Sequence, residues 1–247
     1  MVKSRPLISI SKLTKNFDGI SAVSEVSFDI YSSQVVGLVG DNGAGKSTLV
    51  KMLSGVLEPS SGSIFCDGEL IQIESPATAR EMGIEMVHQD LALCGNLNAS
   101  ENIFLGREMR YFDSLWAPLK KEKMKERSES LLEILQSDSS ASQLVQTMSG
   151  GQRQAVAIAR TLLSNARLVI MDEPLAAISV RQIEEVLSLM KRLRDEGKAV
   201  LLITHRIDDV FSVCDRVIVM RRGTKVADQE IDKLTANELT GLITGAI

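Results

Sequence analysis

Gly40-Asp41-Asn42-Gly43-Ala44-Gly45-Lys46-Ser47-Thr48 follows the short apolar run Gln34 to Val39 and leads into the helical stretch Ser47 to Leu53. A G-x-x-x-x-G-K-S spacing between a buried strand and a helix is what the recognition of a phosphate chain requires. Glycines let successive backbone N–H groups turn inward around phosphate oxygens, and the helix N-terminus adds partial positive charge. Lys46 neutralises the outer phosphates and Ser47 offers a hydroxyl to Mg2+. A nucleoside triphosphate is the implied ligand. Taken alone, the stretch is also compatible with a glycine-rich strand-to-helix turn carrying an incidental lysine.

On either side of this stretch the pattern is that of an α/β protein. Leu7 to Leu13 and Val26 to Ile30 alternate apolar and polar residues as half-buried strands do, which suggests an antiparallel edge beside the buried strand. Further apolar strands, Leu168 to Met171, Val200 to Ile203 and Val217 to Met220, alternate with helical patterns such as Ile183, Val186, Leu187, Met190 and Leu193, the signature of a parallel core. From Asn98 to Ser164 strand signals fade. A charged amphipathic helix is expected over Lys120 to Gln136, with Met124, Leu131, Leu132, Ile134 and Leu135 as its apolar members, followed by a polar linker, Ser137 to Ser142.

The composition narrows the function classes. Across 247 residues, 28 basic side chains stand against 32 acidic ones, and a net charge of −4 offers no field for a nucleic-acid backbone. Three scattered cysteines, Cys66, Cys94 and Cys214, share no metal-ligand spacing with His88 and His205, as expected of a reducing, cytosolic setting. Met1 to Ile10 lacks the apolar core of a secretion signal, and no apolar run approaches the roughly 18 to 20 residues of a membrane span. Any membrane role is therefore expected through a partner.

Four further features carry chemistry. Leu168 to Glu173 is an apolar strand delivering two adjacent carboxylates at its C-terminal end, where parallel sheets bind ligands. Asp172 is suited to holding magnesium and Glu173 to polarising an attacking water as general base, although a pair of acids before Pro174 also occurs as plain surface. His205 follows the strand Ala199 to Thr204 and emerges on the same sheet edge, within reach of a terminal phosphate or the attacking water. A lone histidine there is more often structural. Gln89 ends the apolar stretch Ile84 to Val87 and offers a neutral amide for metal or water. Ser149-Gly150-Gly151-Gln152 opens the amphipathic segment Arg153 to Leu163, so free N–H groups of a helix N-terminus make a second phosphate-binding surface. A simple helix cap explains it equally well.

Taken in order, these residues resemble the ATP-binding cassette family: Gly40 to Thr48 as its Walker A motif, Gln89 as the Q-loop, Met148 to Gln152 as the signature, Leu168 to Glu173 as Walker B, and His205 as the switch histidine. The resemblance spans nearly the whole chain, and the shared order overrides the local alternatives. It implies a P-loop NTPase core with a mainly parallel sheet, an N-terminal antiparallel β part, and an inserted helical subdomain at 98–164 between core segments 1–97 and 165–247. It also implies ATP and Mg2+ as ligands, with Phe17 stacked on adenine, Lys46 and His205 at the reacting phosphate, and Ser47, Gln89 and Asp172 at the metal. Cassettes of this family pair head to tail, so Ser149, Gly150, Gly151 and Gln152 would act on the nucleotide of a second ATPase subunit, and Leu91 to Glu108 would line the groove for a membrane permease.

A narrower resemblance is to the cassettes of bacterial sugar importers. It rests on Glu101 to Glu108, on Gly150 to Val156, on His205-Arg206 followed by Asp209-Val210-Phe211, and on Ile243 to Ala246. The expectation is a homodimer at the cytoplasmic face of the membrane, attached to permease subunits and fed indirectly by an external solute-binding protein, with no nucleic-acid partner. The sequence departs from the family pattern at Met148 for a usual Leu, at Leu175 for Thr, and at Ser179, where many cassettes have Asp. A non-transport cassette of the DNA-repair or translation type would carry a coiled-coil insertion, a zinc motif or a basic tract, none of which is present. An inactive regulatory cassette would bind ATP without turnover.

Overall fold

Asp18 and Gly19, both in the left-handed region at φ 43° and 88°, turn the chain back on itself in two residues, the conformation that an Asp-Gly pair supplies to a tight hairpin. They join β1 (Ile8–Phe17) to β2 (Ile20–Ile30), with Phe17 opposite Ile20. The computed structural model describes residues 5–88, 90–112, 114, 116–175 and 180–246, with 180–182 described by backbone alone. Both strands run longer than alternation suggests, because register shifts between Ile10 and Asn16 break the period of two.

The chain continues through β3 (Val35–Val39), α1 (Lys46–Leu53), β4 (Ser61–Cys66), β5 (Glu69–Ile71), the short α2 (Pro76–Glu81) and β6 (Ile84–Val87). Three helices follow, α3 (Ala99–Ile103), α4 (Lys121–Ile134) and α5 (Gly150–Leu162). The last part alternates β7 (Leu168–Asp172), α6 (Val180–Asp195), β8 (Ala199–Ile203), α7 (Ile207–Val213) and β9 (Arg216–Arg221), then ends with β10 (Thr224–Glu230) and α8 (Ala236–Thr244). Among the described residues the strands form two sheets. One is four-stranded and antiparallel in the order β2-β1-β4-β5; the other is six-stranded in the order β10-β9-β3-β8-β7-β6. In the second sheet every pairing is parallel except that of β10 with β9.

The N-terminal hairpin therefore does not edge the parallel sheet but belongs to a sheet of its own packed across it. That explains why the parallel strands read as continuous apolar runs, since both of their faces are covered. One face carries Val36, Leu38, Ile170, Leu201, Ile203 and Met220 into a core shared with Ile8, Leu13, Val26 and Ile30 of the antiparallel sheet and with Leu49, Met52 and Leu53 of α1. The other carries Val35, Val39, Val169, Met171, Val200, Leu202 and Val219 against Val156, Ile158, Val186, Met190 and Leu193 of α5 and α6. The antiparallel edge strand is β10, whose polar Thr-Lys-Val-Ala-Asp-Gln-Glu gave no strand signal; its partner β9 supplies the backbone hydrogen bonds, and its side chains stay largely outside the core.

The helical segment departs from expectation in two places. Ile134 is 43% exposed whereas Leu131, Leu132 and Leu135 are buried, because 131, 132 and 135 share one helical face and 134 points away from it. Its inner stripe is completed by Ser128, whose hydroxyl donates to Met124 O at 2.8 Å and lies 3.1 Å from its hydrogen-bond partner Ser100 Oγ. Ser137 to Ser142 is no free linker: Ala141 N donates to Glu129 Oε1 at 2.9 Å, and Ala141 O accepts from Ser100 N at 2.9 Å.

The two cores make a direct prediction. Leu201→Ala opens the core under the antiparallel sheet and Leu202→Ala the core under the helices, each at a cost of about 2–5 kcal/mol. Urea denaturation should show both midpoints falling without a change of slope, and an unaltered midpoint for either would contradict the burial of that face.

Candidate functional site

The loop between β3 and α1 is shaped by two glycines that admit no side chain. Gly40, at φ 151°, passes so near β9 that a Cβ there would lie 2.2 Å from Met220 O. Gly45, at φ 97°, would place one 2.4 Å from Ala22 O on β2. The loop is thus held between the two sheets, and Gly223 N adds a hydrogen bond to Ala44 O at 3.0 Å. Lys46 opens α1 and is almost wholly buried. Its ammonium donates to Gly40 O at 2.6 Å and Asp41 O at 3.0 Å, closing the loop on itself.

Beside this loop is a cleft of about 530 Å3 lined by Phe17, Ala22, the stretch Asn42 to Thr48, Asp172, Glu173 and Ile203. Two sequence-derived acids arrive there because β7 ends at Asp172, paired with Ile203 of β8. Glu173 takes a left-handed backbone conformation, φ 48°, with its N–H donated to Ile203 O at 2.9 Å. Its carboxylate meets the His205 ring, whose Nδ1 lies 2.9 Å from Oε1 and 2.8 Å from Oε2. His205 is mostly exposed and Glu173 mostly covered, so the ring caps the carboxylate from the solvent side.

The electrostatics define what fits. Burial pushes the Lys46 ammonium below its ordinary range even though Glu173, Asp41 and Asp172 oppose the shift. Burial, with neighbouring Glu173 adding to it, raises the Asp172 carboxyl above its ordinary range, while His88 and Lys46 pull the other way. A desolvated cation calls for an anion and a desolvated carboxylate for a cation. A polyphosphate carrying a hard divalent ion would meet both demands, with Lys46 and the loop N–H groups able to take the phosphate and the oxygens of Ser47 and Asp172 able to take the ion.

Of the residues anticipated from sequence, Phe17, Asn42 to Thr48, Asp172 and Glu173 line this cleft, His205 joins it through Glu173, and Gly40 and Asp41 hold Lys46. Gln89 and Ser179 lie outside the described residues. Ala22 and Ile203 line the same cleft without having been anticipated, since alanine and isoleucine carry no chemical signal and only the topology brings them there. The signature stretch is elsewhere. Ser149 caps α5, its Oγ accepting from Gln152 N at 3.2 Å while Gln152 Oε1 accepts from Ser149 N at 2.9 Å. Ser149, Gly151 and Gln152 border a separate cleft of about 670 Å3 against Glu184, Glu185 and Arg192 of α6. This is the larger opening, but it lacks the acids and the glycine loop that the smaller one brings together. Met148 is buried beneath α5, and Leu175, just after the acids, is buried too.

A family model described as ABC transporter matches residues 23–176. The chain is 38% identical over 242 residues to the ribose import ATP-binding protein RbsA of Caldanaerobacter subterraneus subsp. tengcongensis, covering 97% of this chain and 48% of that one. It is 41% identical over 239 residues to the xylose/arabinose import ATP-binding protein XylG of Sulfolobus acidocaldarius, covering 96% and 94%. It spans about half the length of the ribose-import relatives it matches. Among solved structures, an ATP-binding cassette of an ABC transporter in its ADP conformation superposes with a TM-score of 0.83 at 26% identity, over 97% of this chain and 95% of that one.

Asp172 yields a pH-dependent prediction. Its pKa is raised by folding, so the folded chain binds its proton more tightly than the unfolded chain, and stability is lost as pH rises from the ordinary value of 3.8 through the raised one. At pH 7 the ionised Asp172 is therefore a net cost in the nucleotide-free protein. Asp172→Asn should melt at a higher temperature than the parent at pH 7, with the gap closing as the pH is brought below 3.8. A lower melting temperature at pH 7 would show that local attraction outweighs burial.

Proposed function

The chain belongs to the ABC transporter family, and from that premise we propose that it binds and hydrolyses ATP as the motor subunit of a sugar importer. The observation that carries the reading is the meeting, in one cleft, of a glycine-shaped phosphate loop with Asp172 and the His205-capped Glu173. The import of ribose and of xylose/arabinose, named for relatives at 38% and 41% identity, supports a sugar as the solute.

In this reading the β- and γ-phosphates enter the loop, the N–H groups of Gly43 to Ser47 face them, and Phe17 stacks on the adenine. Lys46 gives up its two carbonyl partners for phosphate oxygens. Mg2+ would supply charge neutralisation at the phosphates, and Ser47, Asp172 and Gln89 are the residues that would hold it. Glu173 accepts the proton of the attacking water. His205 keeps the carboxylate aimed and gives a donor to the γ-phosphate once the water is in place. The covered position of Glu173 supports the role of base, since a carboxylate shielded from bulk water acts on a single ordered water.

The same reading assigns Ser149, Gly150, Gly151 and Gln152 to the nucleotide of a second cassette, a copy of this chain being the simplest partner. It is supported by the separation of the two clefts, which share no residue. The helical unit 98–164 and the segment Leu91 to Glu108 then form the side that meets permease subunits at the cytoplasmic face of the membrane, with a solute-binding protein engaged on the other side. No helix of the described residues is long and apolar enough to cross a membrane.

Glu173→Gln removes the base while preserving shape. Mg-dependent ATP turnover should fall by about 10²-fold or more, and size-exclusion chromatography in ATP should show a dimer that the parent chain does not accumulate. Turnover equal to the parent's would overturn the assignment of Glu173.

A further inference from the structure

Phe17 ends β1 with 42% of its surface exposed. What meets it is Lys15, whose ammonium stands 5.4 Å from the ring centroid. The same ammonium donates to Glu58 O at 2.6 Å, in the segment between α1 and β4. One face of the ring is thus covered by a cation anchored to backbone, and Phe17 lines the cleft beside Asn42 to Thr48.

We propose that Lys15 is a positioning and specificity residue for the nucleotide base: it holds Phe17 as a one-sided platform on which the purine stacks. The proposal rests on the reading in which Phe17 receives adenine. Three physical steps lead to it. An exposed phenylalanine at a hairpin end loses side-chain freedom when a ligand stacks on it, and a cation already seated on one face removes part of that cost in advance. A cation on one side also draws π-density toward itself, so the opposite face repels an electron-rich purine less. Finally, Lys15 is not among the residues that line the cleft, its ammonium being seated between the ring and Glu58 O, so it reaches a ligand there through Phe17. Its influence is confined to ligands that carry a base.

That confinement is what the experiment reads. Calorimetry on the whole chain, at fixed Mg2+ and salt, compares binding of MgADP with binding of magnesium pyrophosphate for the parent, Lys15→Met, Lys15→Arg, Phe17→Ala and the double variant Lys15→Met/Phe17→Ala. Lys15→Met should weaken MgADP by about 3- to 5-fold and leave pyrophosphate unchanged, and Lys15→Arg should restore MgADP. Phe17→Ala should weaken MgADP further, again sparing pyrophosphate, and adding Lys15→Met to it should cost nothing more. If Phe17→Ala weakens MgADP while Lys15→Met does not, the role of Lys15 is overturned and the platform reading stands. If Phe17→Ala leaves MgADP untouched, the platform reading fails and takes the proposal with it. Equal losses for MgADP and pyrophosphate in Lys15→Met, or a further loss in the double variant, overturn the proposal by placing the effect on the phosphate loop or on contacts other than the ring.

Discussion

The closeness of two backbone approaches governs this structure. Where Gly40 passes Met220 O and Gly45 passes Ala22 O, there is room for a hydrogen and no more. One contact belongs to the parallel sheet and the other to the antiparallel one, so the phosphate loop is positioned by both sheets at once and follows any change in how they pack. The large apolar core between the sheets therefore does more than stabilise the fold. It sets the width of the slot in which the loop lies, and interiors packed to this density move as units rather than yield locally.

The same dependence explains how the chemistry at the sheet edge is assembled. Asp172 and Glu173 reach the cleft because β7 and β8 are in parallel register, with Asp172 beside Ile203, and because the backbone of Glu173 turns left-handed to hydrogen-bond Ile203 O. His205 is two residues beyond that same Ile203. Glu173, the ring of His205 and Asp172 are thus organised around one β8 residue that is chemically inert, and a shift in the pairing of β7 with β8 would displace all of them together.

Much of this was legible in the sequence, for identifiable reasons. The parallel strands stand out because burial on both faces demands an apolar residue at every position, as in Ala199 to Ile203. The phosphate loop stands out because its glycines and lysine are required by geometry and charge. That Asp172, Glu173 and His205 reach one edge of the sheet was readable from the strands they follow, whereas the hydrogen bond between Glu173 and His205, 32 positions apart, was not. Illegible elements share a different property: hydrogen bonds to neighbouring segments hold them, without a regular period of apolar side chains. β10 is polar and exists because β9 has an open edge, the bulged middle of β1 and β2 loses the alternation that marks a strand, and Ser137 to Ser142 looks like a linker although Glu129 and Ser100 pin it down. Ala22 and Ile203 contribute only shape to the cleft, and shape has no compositional signature.

The two carbonyls that hold Lys46 have a consequence for kinetics. Gly40 O and Asp41 O belong to the loop itself, so any anion entering the cleft competes for the ammonium with partners that never diffuse away. An intramolecular rival acts at a constant effective concentration whatever the dilution. On the proposed reading it would weaken capture of every phosphate species alike and offer the lysine somewhere to return as a phosphate leaves, so that the loop would trade affinity for a shorter residence time. The proposed hydrolytic cycle, which must discharge its products, would benefit from that exchange more than a storage site would.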